Sequence, residues 1–312
     1  MVNLMKKVSV IIPAYNEEQC IPELVSRLKS VYDLESSYIF ETLLIENGSV
    51  DSTFELMKNT TTNDPRFKII KLSRNFRMDG GLTAGLEYVT GDACIWMTAD
   101  LQDPPENISA FLREWEKGYK NIYGIVTKRI GTNFIRKINS NVFYLIANAL
   151  TGNQIPRNVS DFRLLDKSAY IAIKSMKERN RFLRGLAAWV GFKSKGIPME
   201  RPPRFGGKSN ADTFKVLDLA LKGIFAYSNI PLRFMMFIGT FFMFASLFVI
   251  LPLSIFWFVR GVPFAGFGTL ISLILLVFGV LSFMIGILSE YIGLIYEEVK
   301  KRPSFIVDEI VE

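Results

Sequence analysis

The chain has 312 residues, with 37 Lys and Arg against 30 Asp and Glu, a net charge of +7, two cysteines and no histidine. A chain without imidazole has no Ser-His triad, no histidine general base and no His-bound zinc site. Its basic balance calls for an anionic partner, lipid or phosphate, and long uncharged runs near the C-terminus argue against nucleic acid.

Val8 to Pro13 reads as a buried strand, and Ala14-Tyr15-Asn16-Glu17-Glu18 as the loop that follows it. Ile21, Leu24, Val25 and Leu28 then recur at helical spacing. A second strand, Thr42 to Ile45, ends in Glu46-Asn47-Gly48-Ser49, and Asp51 or Ser52 can cap the next helix with Glu55 near the capping-box position. Phe67 to Leu72 is a third strand and Gly80 to Tyr88 a third helix. Ala93 to Met97 is a fourth strand, and it stops at Asp100-Leu101-Gln102-Asp103-Pro104-Pro105. Alternating strands and helices predict an α/β fold with a parallel, doubly wound sheet. Each strand's carboxyl end carries a polar cluster, and such an edge is where nucleotides bind in these folds. Carboxylates there suit a divalent cation that neutralises a leaving diphosphate.

From Tyr123 to Gly207 the chain is less regular and rich in basic residues. Phe214, Leu217, Leu221, Ile224 and Phe225 then recur at helical spacing opposite Lys215, Asp218 and Lys222, which fits an amphipathic helix in a membrane interface or one packed on the preceding domain. Phe234 to Val259 and Val262 to Ser289 carry no charge, and each exceeds the roughly 20 apolar residues that a bilayer core requires. Lys215, Lys222 and Arg233 precede this pair, Lys300, Lys301 and Arg302 follow it, and Arg260 alone lies between. By the positive-inside tendency both termini face the cytoplasm. Met1 to Lys7 leads directly into the first strand, so no secretory leader is expected, and Cys20 and Cys94 suit reduced cytosolic thiols. The expected division is a catalytic domain over 1–212, a juxtamembrane helix over 213–231, a two-helix transmembrane hairpin over 232–295 and a cytosolic tail over 296–312. Gly266, Gly268, Gly279, Gly286 and Gly293 would permit close packing of membrane helices, and so a homo-oligomer.

The segments VSVIIPAYNEE (8–18), Gly48-Ser49 with Asp51 and Thr53, LSRNF (72–76) and ADLQDPPE (99–106) resemble the family 2 glycosyltransferases. The resemblance is strongest to the polyprenyl-phosphate group, which includes bactoprenol glucosyltransferases and dolichol-phosphate mannose synthase. Asp161-Phe162-Arg163-Leu164, Arg181 to Leu186 with Trp189 to Phe192, and Pro231-Leu232-Arg233 extend the likeness over nearly the whole chain. It implies a GT-A (Rossmann-like) fold and inverting transfer of one sugar from a nucleotide-sugar, UDP by default, to a polyprenyl phosphate such as undecaprenyl phosphate. It also implies Mg2+ or Mn2+ and a bacterial inner-membrane location. Residue by residue, Pro13, Tyr15, Asn16, Glu17 and Glu46 would line the nucleotide-sugar pocket with Asp100. Asp100 and Gln102 would face metal and diphosphate. Asp161 would act with Asp100 in catalysis, as base or as acceptor-orienting carboxylate. Arg129, Arg184, Arg204 and Ser209 would approach the phosphates.

Some positions depart from the family pattern. Thr98 stands where Asp is usual, Glu46-Asn47 replaces Asp-Asp, Arg77-Met78-Asp79 replaces Gly-Lys-Glu, and Ser209-Asn210 replaces Ser-Lys. These changes fit a divergent donor specificity. The alternatives are a catalytically silent membrane scaffold in a glycan-assembly complex and a processive polysaccharide synthase, although the chain lacks the latter's Gln-x-x-Arg-Trp segment.

Overall fold

The structure is a computed structural model and describes residues 5–129, 158–179, 181–203, 205–206, scattered positions between 232 and 261, and 266–312. The chain divides into two compact units, Met1–Thr213 with Lys301–Glu312, and Phe214–Lys300.

The first unit is built on an eight-stranded sheet. Its strands are β1 (Lys6–Ala14), β2 (Tyr38–Glu46), β3 (Phe67–Leu72), β4 (Ala93–Trp96), β5 (Asn121–Arg129), β6 (Val159–Asp166), β7 (Ser194–Arg201) and β8 (Val307–Val311), in the order β7-β5-β6-β4-β1-β2-β3-β8. Helices α1 (Ile21–Leu34), α2 (Thr53–Thr61), α3 (Arg77–Tyr88), α4 (Asn107–Glu116), α5 (Lys167–Ser175) and α6 (Leu183–Trp189) flank it. The centre, β4-β1-β2-β3, is parallel, and its near-continuous apolar runs are those of strands covered on both faces. On one face Val8, Val10, Ile12, Leu44 and Ile95 pack with Leu24, Leu28, Phe111 and Phe162. On the other, α3 lies close against β1 because it has glycines where side chains would collide: a Cβ on Gly85 would strike Ile11, and one on Gly81 would sit 2.9 Å from the Pro13 Cβ.

The wholly parallel sheet expected from the sequence is corrected here: β6 runs antiparallel to both β4 and β5, and β8 runs antiparallel to β3. Inserting β6 beside β4 brings Asp161 to the sheet edge where the other loops gather. The segment read as a cytosolic tail is also reassigned in part. Val307–Val311 is the strand β8, and Lys71–Asp308 (3.5 Å) and Lys68–Glu312 ion pairs accompany the pairing.

In the second unit α7 (Phe267–Lys300) contains Leu276–Lys300, the one helix among the described residues long and apolar enough to cross a membrane, with mean hydropathy 1.9. It ends where Lys301 takes a φ of +50 before Arg302-Pro303. Half of the first expected span, 234–259, falls outside the described residues, and the 213–231 helix lies wholly outside them.

Candidate active site

The first wall is made by the loops after β1 and β2. Ala14 and Glu46 are register partners, so these loops leave the sheet side by side. Asn16, at a φ of +55, is held from both directions: its N–H donates to Ser49 Oγ (3.1 Å), and its Oδ1 accepts the Val50 N–H (3.0 Å). The Glu17 N–H donates to Thr53 Oγ1 at 2.9 Å, and the Ser52 N–H to Glu18 Oε2 at 3.1 Å. Gly48, at a φ of +69, passes so close to Arg74 that a Cβ would fall on its backbone. Glu46 is 1% exposed; Oε1 accepts the Ser49 N–H, while Oε2 is buried with no hydrogen-bond partner. Buried polar atoms are rarely left so, and this oxygen lies at the strand edge expected to meet a nucleotide. Pro13 is buried under α3, and Tyr15 is half-buried in the same loop.

Asn47 plays a different part. Its Nδ2 donates to the Arg77 carbonyl (2.9 Å) and its Oδ1 accepts the Phe76 N–H (2.9 Å), so it clamps the entry to α3.

The acidic turn after β4 is tightly wound, with Leu101 buried at a φ of +58. Such a conformation is costly for a leucine and persists where surrounding contacts impose it. Thr98 has one hydroxyl proton for two carboxylates, lying 2.7 Å from Asp100 Oδ1 and 3.1 Å from Asp103 Oδ2. The Gln102 N–H also donates to Asp100 Oδ1, at 3.2 Å. Asp103, at 0% exposure, accepts Ser160 Oγ–H at 2.8 Å and lies 3.7 Å from Arg201 Nε. Burial raises its pKa, and the charges of Asp100 and Asp161 push the same way. Asp103 is therefore spent on fixing the turn and β6. Cys20, behind the turn, has its thiol pushed up to about 12 by burial and by Glu17, so it stays protonated.

Asp161 lies on β6, the strand beside β4 in the sheet. Arg184, near the start of α6, grips it as a fork, Nε to Oδ1 at 2.8 Å and Nη2 to Oδ2 at 2.6 Å. Burial alone would raise the Asp161 pKa, but Arg184, Arg163 and Arg201 outweigh it and hold the carboxyl below its ordinary range. Arg163 is 2% exposed, its Nε has no hydrogen-bond partner, and desolvation lowers its pKa to about 10. Pairing of Asp161 with Arg163 or Arg184 is legible in the sequence, whereas Arg201 was missed as a partner of this carboxylate. Arg163 stands in the Asp161-Phe162-Arg163 segment, where alternation along a strand puts i and i+2 on one face. Nothing near Arg201 in the sequence marks it.

The structure thus brings Pro13, Asn16, Glu17 and Glu46 together at one wall, Asp100 and Gln102 at the turn, and Asp161, gripped by Arg184, on the strand next to it. Arg129 closes β5 in register with Arg201, its side chain outside the described part, and Arg204 and Ser209 also lie outside it. Among the described residues no three His, Cys, Asp or Glu side chains cluster as a metal cage. Asp100 with Gln102 fits a hard cation whose shell is completed by substrate phosphates, as magnesium sites commonly are.

The family profile described as glycosyl transferase family 2 matches residues 9–174, the stretch that holds Glu46, Asp100 and Asp161. The chain belongs to this family. An uncharacterised glycosyltransferase of Bacillus subtilis (strain 168) is 37% identical over 302 residues, 96% of this chain and 92% of the relative. A prophage-derived bactoprenol glucosyl transferase of Shigella flexneri is 34% identical over 306 residues, 96% and 97% of the two chains. Among solved structures, glucosyl-3-phosphoglycerate synthase from Mycobacterium tuberculosis, in complex with Mn2+, UDP and phosphoglyceric acid, superposes with a TM-score of 0.51 at 14% identity, over 70% of this chain and 76% of that one. This likeness supports the GT-A fold. The protein is a glycosyltransferase.

Proposed function

We propose that the protein transfers one sugar from a nucleotide-sugar, UDP-linked by preference, to a polyprenyl phosphate at the cytosolic face of a bacterial membrane, with inversion. The observation that carries this reading is Asp161, an ionised carboxylate gripped by Arg184 on the strand next to the acidic turn. A carboxylate with a depressed pKa is a weak base, and a phosphate monoester is a nucleophile that hardly requires one. Its second pKa is near 6, so at neutral pH it is mostly dianionic. The tasks left to the protein are to hold two anions together and to stabilise charge on the departing nucleoside diphosphate.

In this scheme Glu46 Oε2 accepts an N–H from the base, while the braced loops around Asn16 and Glu17 hold the nucleoside. A phosphate oxygen of the acceptor forms a bond to the anomeric carbon as the bond from that carbon to the diphosphate breaks. The nucleoside diphosphate departs, and the anomeric configuration inverts. Asp161 orients the acceptor through Arg184, with Arg129, Arg204 and Ser209 as further phosphate contacts. Mg2+ or Mn2+ held by Asp100 and Gln102 would neutralise the leaving diphosphate. The bactoprenol glucosyl transferase of Shigella flexneri supports the acceptor class, and the Mn2+ in the Mycobacterium tuberculosis structure supports the cation. The uncharged runs at 234–259 and 262–289, with their basic flanks, support two membrane spans and cytoplasmic termini.

The test uses purified protein in lipid with undecaprenyl phosphate and a panel of labelled nucleotide-sugars, with Mg2+, Mn2+ or a chelator. Metal-dependent appearance of label in the organic phase from one donor is the expected result. No transfer from a broad panel by folded protein would overturn the reading.

A further inference from the structure

Asp79 lies in the first turn of α3, yet its Oδ1 accepts the N–H of Leu183, the first residue of α6, at 3.1 Å. First-turn amides lack partners within their own helix, so a carboxylate there both satisfies one and meets the positive end of the helix. The next residue is Arg184, which grips Asp161. The same end of α3 is held by Asn47 at Phe76 and Arg77, and the helix body is held by the Gly81–Pro13 and Gly85–Ile11 approaches. A continuous line of contacts therefore runs from the nucleotide wall at Pro13 and Asn47, through α3 and Asp79, to α6 and the acceptor-facing carboxylate.

We propose that Asp79 is a positioning residue whose carboxylate fixes the first turn of α6 and so aims the Arg184 guanidinium at Asp161. This rests on the proposed transfer to a polyprenyl phosphate. The charged groups facing Asp79 are Asp161 from β6, Arg184 from α6, and Arg181 from the segment before α6, whose Nη2 donates to the Ile173 carbonyl on α5 at 2.6 Å. Farther along, the Glu87–Lys174 pair (3.0 Å) joins α3 to α5. Burial raises the Asp79 pKa from 3.8 to about 6 and Asp161 adds to the rise, while the Leu183 N–H and the two arginines oppose it. A carboxyl whose folded pKa is raised contributes stability that is full below 3.8 and is lost as the pH climbs through about 6. At pH 7 the ionised group therefore costs stability, and the position serves orientation.

The experiment compares wild type, Asp79→Asn and Asp79→Ala in lipid, with kcat/KM for undecaprenyl phosphate and KM for the nucleotide-sugar measured from pH 5 to 8. A misplacement of about 1 Å costs on the order of 10²-fold, so Asp79→Ala is expected to lose about 10- to 100-fold in acceptor kcat/KM with little change in donor KM. Asp79→Asn keeps an acceptor oxygen for Leu183; it should retain about a third or more of wild-type activity, with the acid limb that the acceptor phosphate sets near pH 6 still present. Its thermal midpoint at pH 7 should equal or exceed wild type, which a merely structural carboxylate would not allow. Full activity in Asp79→Ala, or an Asp79→Asn loss as large as that of Asp79→Ala, would overturn the proposal. Should wild type itself transfer no sugar, the function reading fails, and a cycle of thermal midpoints with Asp79→Ala and Arg184→Ala still decides the positioning role. Non-additive midpoints support the link through α6, and additive ones defeat it.

Discussion

Replacing Asp161 by Asn separates an orienting carboxylate from a general base. The amide keeps one oxygen for Arg184 and loses the second acceptor of the fork and the negative charge that balances Arg163, Arg184 and Arg201. A hydrogen bond to a charged group is worth roughly 1.5–3 kcal/mol. The two side chains are 23% and 31% exposed, so water screens part of this, and about 1–2 kcal/mol is a reasonable share to lose. At 1.36 kcal/mol per decade this corresponds to roughly 5- to 30-fold in kcat/KM. Removing a general base costs about 10²–10⁴-fold. The depressed Asp161 pKa sets a second expectation. Its contribution to stability is present above 3.8 and lost only as pH falls below that value, so Asp161 should not shape the activity profile between pH 5 and 8. Initial rates against undecaprenyl phosphate across that range check both points. A loss of about 10³-fold or more, or an altered acid limb, would refute the argument that the acceptor phosphate needs no base.

Glu46→Gln puts an N–H donor where the unpartnered Oε2 now lies, and should raise the nucleotide-sugar KM about 10-fold with kcat nearly unchanged, read by donor titration. Thr98→Asp replaces a hydroxyl bridging two carboxylates with a third carboxylate, and should lower the Mn2+ concentration needed for half-maximal activity by about 10-fold, read by metal titration of the chelated enzyme. Deleting residues 307–312 uncovers the β3 edge and removes the Lys68 and Lys71 ion pairs; the thermal midpoint of the purified protein should fall by several degrees, on the order of 1–3 kcal/mol.

The parts of the fold set by local pattern could be read from the sequence. The apolar run at 67–72 became β3 with the same limits, and the polar clusters after β1, β2 and β4 do gather on one edge. What failed depends on distant pairing. Nothing in Val159–Asp166 announces that it runs antiparallel beside β4, since strand direction is a property of the sheet and not of the segment. The short stretch Ile306 to Val311 was passed over because it follows a long apolar helix and its apolar and charged residues come in pairs instead of alternating. Ser52 was expected as a possible helix cap, yet its side chain makes no cap bond; Asp51 Oδ1 takes the Thr53 N–H at 3.0 Å instead. Asp100 and Asp103 are both buried, and what sets Asp103 apart is the Ser160 hydroxyl and Arg201 beside it, which its sequence position does not announce. The Asp79–Leu183 bond joins residues too far apart in the chain for any spacing argument to find.

A glycosyltransferase without histidine has to place its charges by other means, and the two faces of this site do so with opposite chemistry. On the donor side carboxylates gather at the turn, where Thr98 shares its proton between Asp100 and Asp103 instead of adding a third negative charge. Fewer fixed anions lower the electrostatic cost of bringing in a diphosphate, but they also weaken the grip on a free cation. The cation then arrives most favourably with the diphosphate that supplies its remaining ligands. On the proposed acceptor side the excess is positive: the charges of Arg184, Arg163 and Arg201 all act on Asp161. In the proposed transfer a dianionic phosphate entering there adds negative charge beside Arg163, whose Nε lacks a hydrogen-bond partner, and leaves Asp161 ionised, so acceptor binding requires no proton to move. The proposed transfer is then governed by how accurately Arg184 is aimed, and the proposed positioning role gives that task to one hydrogen bond across the fold, from the first amide of α6 to Asp79.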